Sequence, residues 1–231
     1  MNLSVKRLVA VGALAMLVAA GIASDASAFN LRIPQVPVAG ASLQNYLNSK
    51  GESINVLTDQ VDAQVWSTSA SGNSVFTLMI ELAGNAAGNA LGVYNANDGA
   101  PTLFEVFPGS AAQGWHALIS FSSGNLVVTL FDNNSMIMGQ ALYVGVDQNA
   151  FGFYLAGPGG TFYSQDGRNG GAVAQMLTYA GTGMNFGEWW LCFEDTAGGD
   201  RDFEDAVVIL ESVVPVATKQ ATLGAIKALY R

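Results

Sequence analysis

Apolar and polar residues alternate with a period of two along much of the chain. At 75–82, Phe76, Leu78, Ile80 and Leu82 fall in one phase and Val75, Thr77, Met79 and Glu81 in the other, which predicts a strand with one more apolar face. At 115–121, Trp115, Ala117, Ile119 and Phe121 alternate with His116, Leu118 and Ser120 in the same way. Residues 126–131 form a further predicted strand, and Ser122-Ser123-Gly124-Asn125 supplies the turn between these two. Apolar runs at 90–94, 102–107, 151–155, 160–163, 189–193 and 206–211 bring the total to roughly ten strands. Residues 172–179 read equally as a short helix or a strand.

Helical spacing is confined to two places. Residues 42–48 predict a brief helix capped by Ser42, and Leu223, Ile226 and Leu229 recur at helical intervals with Lys227 and Arg231 in the last turn. Frequent turn signals without a long helical period predict an all-β fold, an antiparallel β-sandwich of jelly-roll type with one or two short helices. Residues 42–212 contain neither a tandem repeat nor a charge-rich or proline-rich linker, so they are expected to form a single domain. The small-residue run at 83–90 is read as a loop within it. Before the domain lies an extended leader, 29–41, with Pro34 and Pro37. After it comes a tail, 213–231, or a short docking helix, too short and too charged to span a membrane.

The first 28 residues predict an export signal. Lys6 and Arg7 precede an apolar stretch, and Ala26-Ser27-Ala28 forms an A-x-A cleavage site. The apolar stretch is short for a spanning helix and lacks a stop-transfer signal, so no stable membrane anchor is expected. Cleavage would remove two of 9 basic and one of 18 acidic residues, leaving an acidic chain. That disfavours nucleic acid and anionic lipid as partners, since phosphate binding needs a basic surface, and no nucleic-acid partner is expected. With one cysteine, Cys192, no intramolecular disulfide can form. Its neighbours Trp190, Leu191 and Phe193 predict a buried strand thiol acting as a small hydrophobe.

The acids are not spread evenly. Glu194, Asp195, Asp200, Asp202, Glu204 and Asp205 crowd between the strands at 189–193 and 206–211, around a bend at Gly198-Gly199, with only Arg201 to offset them. Two such charges ~6 Å apart repel by roughly 3 kcal/mol at an effective dielectric of ~20. Converging carboxylates therefore call for a counter-ion, and Ca2+ fits, since it takes six to eight oxygens in flexible geometry. Asp195, Asp200, Asp202 and Asp205 are the predicted ligands, with Glu194 next, while Glu204 is expected to face solvent. Asp166, in the turn Ser164-Gln165-Asp166-Gly167, is a further candidate. The spacing is not that of an EF-hand. The residues also allow a solvated acidic hairpin in which Arg201 or Arg168 pairs one carboxylate.

The phrase Phe151-Gly152-Phe153-Tyr154-Leu155, then Gly160-Thr161-Phe162-Tyr163-Ser164-Gln165-Asp166, followed by the acidic ending from Leu191 to Val208, resembles the bacterial family called domain of unknown function 4114. Ser53-Ile54-Asn55-Val56-Leu57-Thr58-Asp59-Gln60 and Ile80-Glu81-Leu82-Ala83-Gly84 also look like longer secreted members. The resemblance implies a β fold and an extracellular or envelope setting, and no activity. Many members end in a Pro-Glu-Pro sorting signal, which is absent here: Val213-Val214-Pro215-Val216 leads into a partly charged tail.

Other chemistry is thin. His116 is the only histidine, so a Ser-His-Asp arrangement would have to use it, and no Gly-x-Ser-x-Gly elbow accompanies it. Gly157-Pro158-Gly159-Gly160 lacks the Lys-Ser/Thr of a phosphate loop. The oxygen-rich turns at 95–99 and 132–135 hold residues that turns ordinarily favour. Trp189 and Trp190 are adjacent and so point to opposite faces of a strand. Trp190 is therefore the candidate sugar-stacking residue, unless it lies beneath a neighbouring loop. The expectation is a secreted, calcium-stabilised binding or structural module of the cell envelope or extracellular matrix, with no catalysis. Its partners would be calcium and a glycan or matrix protein. The alternative is a carbohydrate-binding module using Trp190 and the calcium-ordered loops.

Overall fold

The period-two segments fold as strands, and the strands stack as two antiparallel sheets. The computed structural model describes residues 30–37, 41–68, 72–81 and 86–216. Among these are β1 (Val65–Thr68), β2 (Asn73–Glu81), β3 (Ala90–Asn95), β4 (Leu103–Phe107), β5 (His116–Ser122), β6 (Asn125–Phe131), β7 (Ile137–Val144) and β8 (Phe151–Gly157). They continue with β9 (Gly160–Tyr163), β10 (Met176–Ala180), β11 (Trp189–Phe193), β12 (Ala206–Leu210) and β13 (Val213–Val216). The smaller sheet runs β13-β1-β8-β3-β4, with β9 also on β8, and the larger runs β10-β11-β12-β2-β5-β6-β7. The expected all-β sandwich with one short helix, α1 (Ser42–Ser49), is therefore the observed one.

Two cores explain two kinds of strand. Between the sheets lies a cluster that includes Trp66, Phe76, Phe151, Phe153, Trp189, Leu191 and Phe193, in which Trp66 meets Trp189 edge-on at 5.3 Å. A second cluster covers the outer face of β10, β11 and β12. Leu43 and Leu47 of α1, Ile54, Val56 and Phe203 pack there against Leu177, Tyr179, Trp190, Cys192 and Val207. Strands β11 and β12 are thus buried on both faces, which is why they read as unbroken apolar runs. Strands β5 and β6 keep the alternating pattern because only their inner face is covered.

Several expectations changed. Val213–Val216 is not tail but β13, paired with β1 from Thr68↔Val213 to Val65↔Val216, so the domain extends past residue 212. The ambiguous 172–179 stretch is strand in its second half, 176–179, which belongs to β10. Ser42 does not cap α1. Ala41 holds the cap position without a side-chain bond, and Ser42 is the first residue of the helix itself. The predicted export signal, 1–28, and the helical spacing at 223–229 lie outside the described residues. Among the described residues no helix is long and apolar enough to cross a membrane.

Candidate metal centre

Strands β11 and β12 pair from Phe193↔Ala206 to Trp189↔Leu210, so residues 194–205 form the loop of one hairpin, as the sequence predicts. The loop is fastened at its base. Glu194 donates its N–H to the Gln175 carbonyl at 3.0 Å, and Asp195 donates its N–H to the Asp205 carboxylate at 2.9 Å. Phe203 is fully buried in the outer core beneath α1, where it anchors the loop's far side.

The backbone wraps around Glu194. Arg201 (φ 61°) and Phe203 (φ 58°) take the left-handed conformation that non-glycine residues rarely adopt, and both give their N–H to the Glu194 carboxylate. The backbone at Gly199 comes so close to Glu194 Oε1 that a Cβ there would displace the carboxylate from its present position. The Glu194 side chain is 1 % exposed, yet its Oε2 has no hydrogen-bond partner. Burial, reinforced by the carboxylates of Asp205 and Asp200, pushes the Glu194 carboxyl up to about 7 against the two N–H donors. Burial likewise pushes Asp205 up to about 6, with Asp195, Asp202 and Asp200 adding to the effect.

One carboxylate oxygen each from Glu194, Asp200 and Asp202 lie within 4.8 Å of one another. That is three of the six predicted ligands, on a scale that one cation can bridge. The other three stand outside this trio and have partners of their own, while within it Asp202 Oδ1 accepts the Glu204 N–H at 3.3 Å. Asp195 is buried, and its two oxygens accept from Asn89 Nδ2 at 3.0 Å and Thr196 Oγ1 at 2.8 Å. Asp205 flanks the group while holding the Asp195 N–H. Asp166 is taken out of the set altogether, because Arg32 grips its carboxylate with both terminal guanidinium nitrogens, at 2.5 and 3.4 Å. Glu204 does not face solvent as expected: its Oε2 is shielded and unpartnered, and burial raises its pKa.

The alternative in which an arginine neutralises the hairpin is not what forms. Among the described residues the one salt bridge is Arg32–Asp166. Arg168 points elsewhere, donating to Gln165 Oε1 at 2.7 Å and to the carbonyls of Ala96 and Asp98.

Trp190 is not a sugar platform. It is fully buried, edge-on to Tyr46, with its Nε1–H on Glu52 Oε1 at 2.8 Å. The strand does send its two tryptophans to opposite faces, but both faces are covered. Cys192 is buried, as its neighbours predict, and His116 stacks on Phe131 with ring centroids 5.0 Å apart.

Two buried polar residues, Asn89 beside the acidic loop and Glu52 at the far end of β11, are absent from the sequence reading. Asn89 sits at the end of a small-residue run that reads as a plain loop, and nothing local marks it as the partner of Asp195. Glu52 was legible: it falls in phase with Ile54 and Val56, and all three are buried while Ser53 and Asn55 are exposed. No model of a known protein family matches the chain, and no curated protein matches it either.

Proposed function

We propose that the protein is a secreted β-sandwich, stabilised by calcium, that serves as a binding or structural module of the cell envelope or extracellular matrix and performs no catalysis. The observation that carries this reading is Glu194, a carboxyl sealed from solvent with one oxygen unpartnered, among acids that no cation of the described residues neutralises. A calcium ion bound by Glu194, Asp200 and Asp202, with loop carbonyls and water completing its shell, satisfies that oxygen and removes the repulsion. The resemblance of the acidic ending to the domain of unknown function 4114 family, and the export signal read from residues 1–28, belong to the same proposal and supply its compartment.

Outside the cell, modest affinity suffices, with dissociation constants of about 10⁻⁴ to 10⁻³ M typical of extracellular calcium modules. Calcium at about a hundred times its dissociation constant would add about 2.7 kcal/mol, or about 5–10 °C in Tm for a chain of this size. The test is a melting curve in chelator and in rising calcium, for the wild type and for Asp200→Asn with Asp202→Asn. The wild type should climb and the double variant stay flat. A wild-type curve indifferent to calcium would sink the reading.

A further inference from the structure

Among the described residues, the larger sheet is covered on half of its outer face and bare on the other half. Over β10 to β12 lie α1 and its neighbours. Over β5 to β7 the outer face presents Leu118, Val127, Met138, Leu142 and Val144, which are 45 %, 41 %, 50 %, 64 % and 74 % exposed. The sheet also ends there. β7 pairs with β6 and, among the described residues, with nothing on its other side.

The other sheet edges carry protection that β7 lacks. At β10, Val61 bridges Thr178 with a 2.8 Å N–H···O bond, and Ala63 takes the Thr178 hydroxyl. β4 has exposed Glu105 at its centre and lies between Pro101 and Pro108. β13 contains Pro215. The β7 sequence, Ile-Met-Gly-Gln-Ala-Leu-Tyr-Val, has neither charge nor proline and, among the described residues, no covering segment.

We propose that β7 is a self-association edge, on which a second copy of this chain adds its own β7 antiparallel, joining the two larger sheets into one across a two-fold axis. Charge favours this occupant. The chain carries a net charge of −9, so two copies repel over most approaches. Across residues 115–146, however, the one ionised side chain is Asp132, and its carboxylate is turned into its own turn by the N–H groups of Asn134 and Met136. An acidic partner therefore meets a strand without charge of its own, with Glu105 of β4 the one carboxylate along the adjoining groove.

The strand is also complementary to itself. Pairing centred on Ala141 sets Met138 against the second copy's Val144, and Gln140 against its Leu142, on the outer face. On the inner face it sets Gly139 against the second copy's Tyr143. Gly139 has open space where a Cβ would be, and it borders a groove of about 200 Å³ between β7 and β4 that also includes Pro108 and Met138. The groove receives inward-facing side chains of an added strand, the usual arrangement of strand addition at a sheet edge. A two-fold contact of this kind is closed, so it gives dimers rather than fibres.

The purified protein should sediment as a dimer whose dissociation is concentration-dependent. Leu142→Lys with Val144→Lys, at two solvent-facing positions, should weaken the dimer about tenfold or more with an unchanged circular dichroism spectrum. Phe186→Lys, at an exposed loop position remote from β7 in sequence, should leave the dimer intact. A wild type that stays monomeric up to its solubility limit would overturn the proposal, as would a dimer indifferent to the two lysines. A monomer that dimerises only on deletion of residues 217–231 would assign the edge to the chain's own C-terminal segment, and would equally overturn it.

Discussion

Two glutamates bracket strand β11, both sealed from solvent, and they are in opposite electrostatic states. Glu52, at the Trp190 end, is 5 % exposed and accepts from four donors: Thr182 N–H and Oγ1 at 2.6 Å, Asn185 Nδ2 at 2.5 Å and Trp190 Nε1 at 2.8 Å. Burial acts to raise its pKa, but the donors together outweigh it and hold the carboxyl below its usual range. Glu194, at the other end, has two backbone donors and acidic neighbours, and burial prevails. Burial alone therefore does not decide the charge state of a carboxyl. The balance of donors and like charges does, and where donors fall short a bound cation has a role to fill.

The contrast is sharpest under truncation. Glu52→Ala strands a buried indole N–H and three further donors, and should cost about 3–5 kcal/mol, lowering Tm by about 10 °C while leaving the calcium response in place. Glu194→Gln should do the reverse in chelator. Removing a strained charge should raise the ion-free Tm by about 2–4 °C and blunt the gain from calcium. If both substitutions destabilise the ion-free protein alike, the two sites do not differ as described.

Acidity gives a smaller effect of defined sign. The folded pKa of Glu52 lies below its unfolded value of about 4.3, so its contribution is complete above that value and is lost as pH falls below it. The folded pKa of Glu194 is raised to about 7, so between about pH 4.3 and 7 the native state holds more protons than the unfolded chain. Ion-free stability should therefore fall as pH rises through that window. Urea midpoints in chelator should be lower at about pH 8 than at about pH 5, and calcium should remove or invert the difference. Equal midpoints in chelator would break the comparison.

The legible parts of the molecule are those in which local pattern and tertiary environment agree. β5 and β6 alternate and are half-buried; β11 and β12 are continuous and doubly buried; the acids fall at a hairpin end because both flanking strands are unmistakable. β7 was not foreseen, because its larger apolar residues face out while Gly139 and Ala141 face in, inverting the pattern that marks a strand. Trp190 lies covered, as one of its two sequence readings has it, but nothing local announces that α1 and residues 52–56 do the covering. In the acidic loop the cluster was readable, but the partners of its members were not. Asp166 pairs with Arg32, 134 residues away in sequence, and Asp195 with Asn89, 106 residues away. Distances in sequence of that size carry no local trace.

The position of β12 bears on how the chain is assembled in time. This strand, near the end of the described residues, fills the middle of the larger sheet between β11 and β2, and β13 then closes the smaller sheet against β1. Both sheets therefore stay incomplete until the last strands have left the ribosome, and closing them means joining segments more than a hundred residues apart, a slow step by topology. The acidic loop immediately precedes the closing strand. A cation that quiets its repulsion would act at the moment of closure as well as on the finished fold, and a refolding rate that rises with calcium would be its signature.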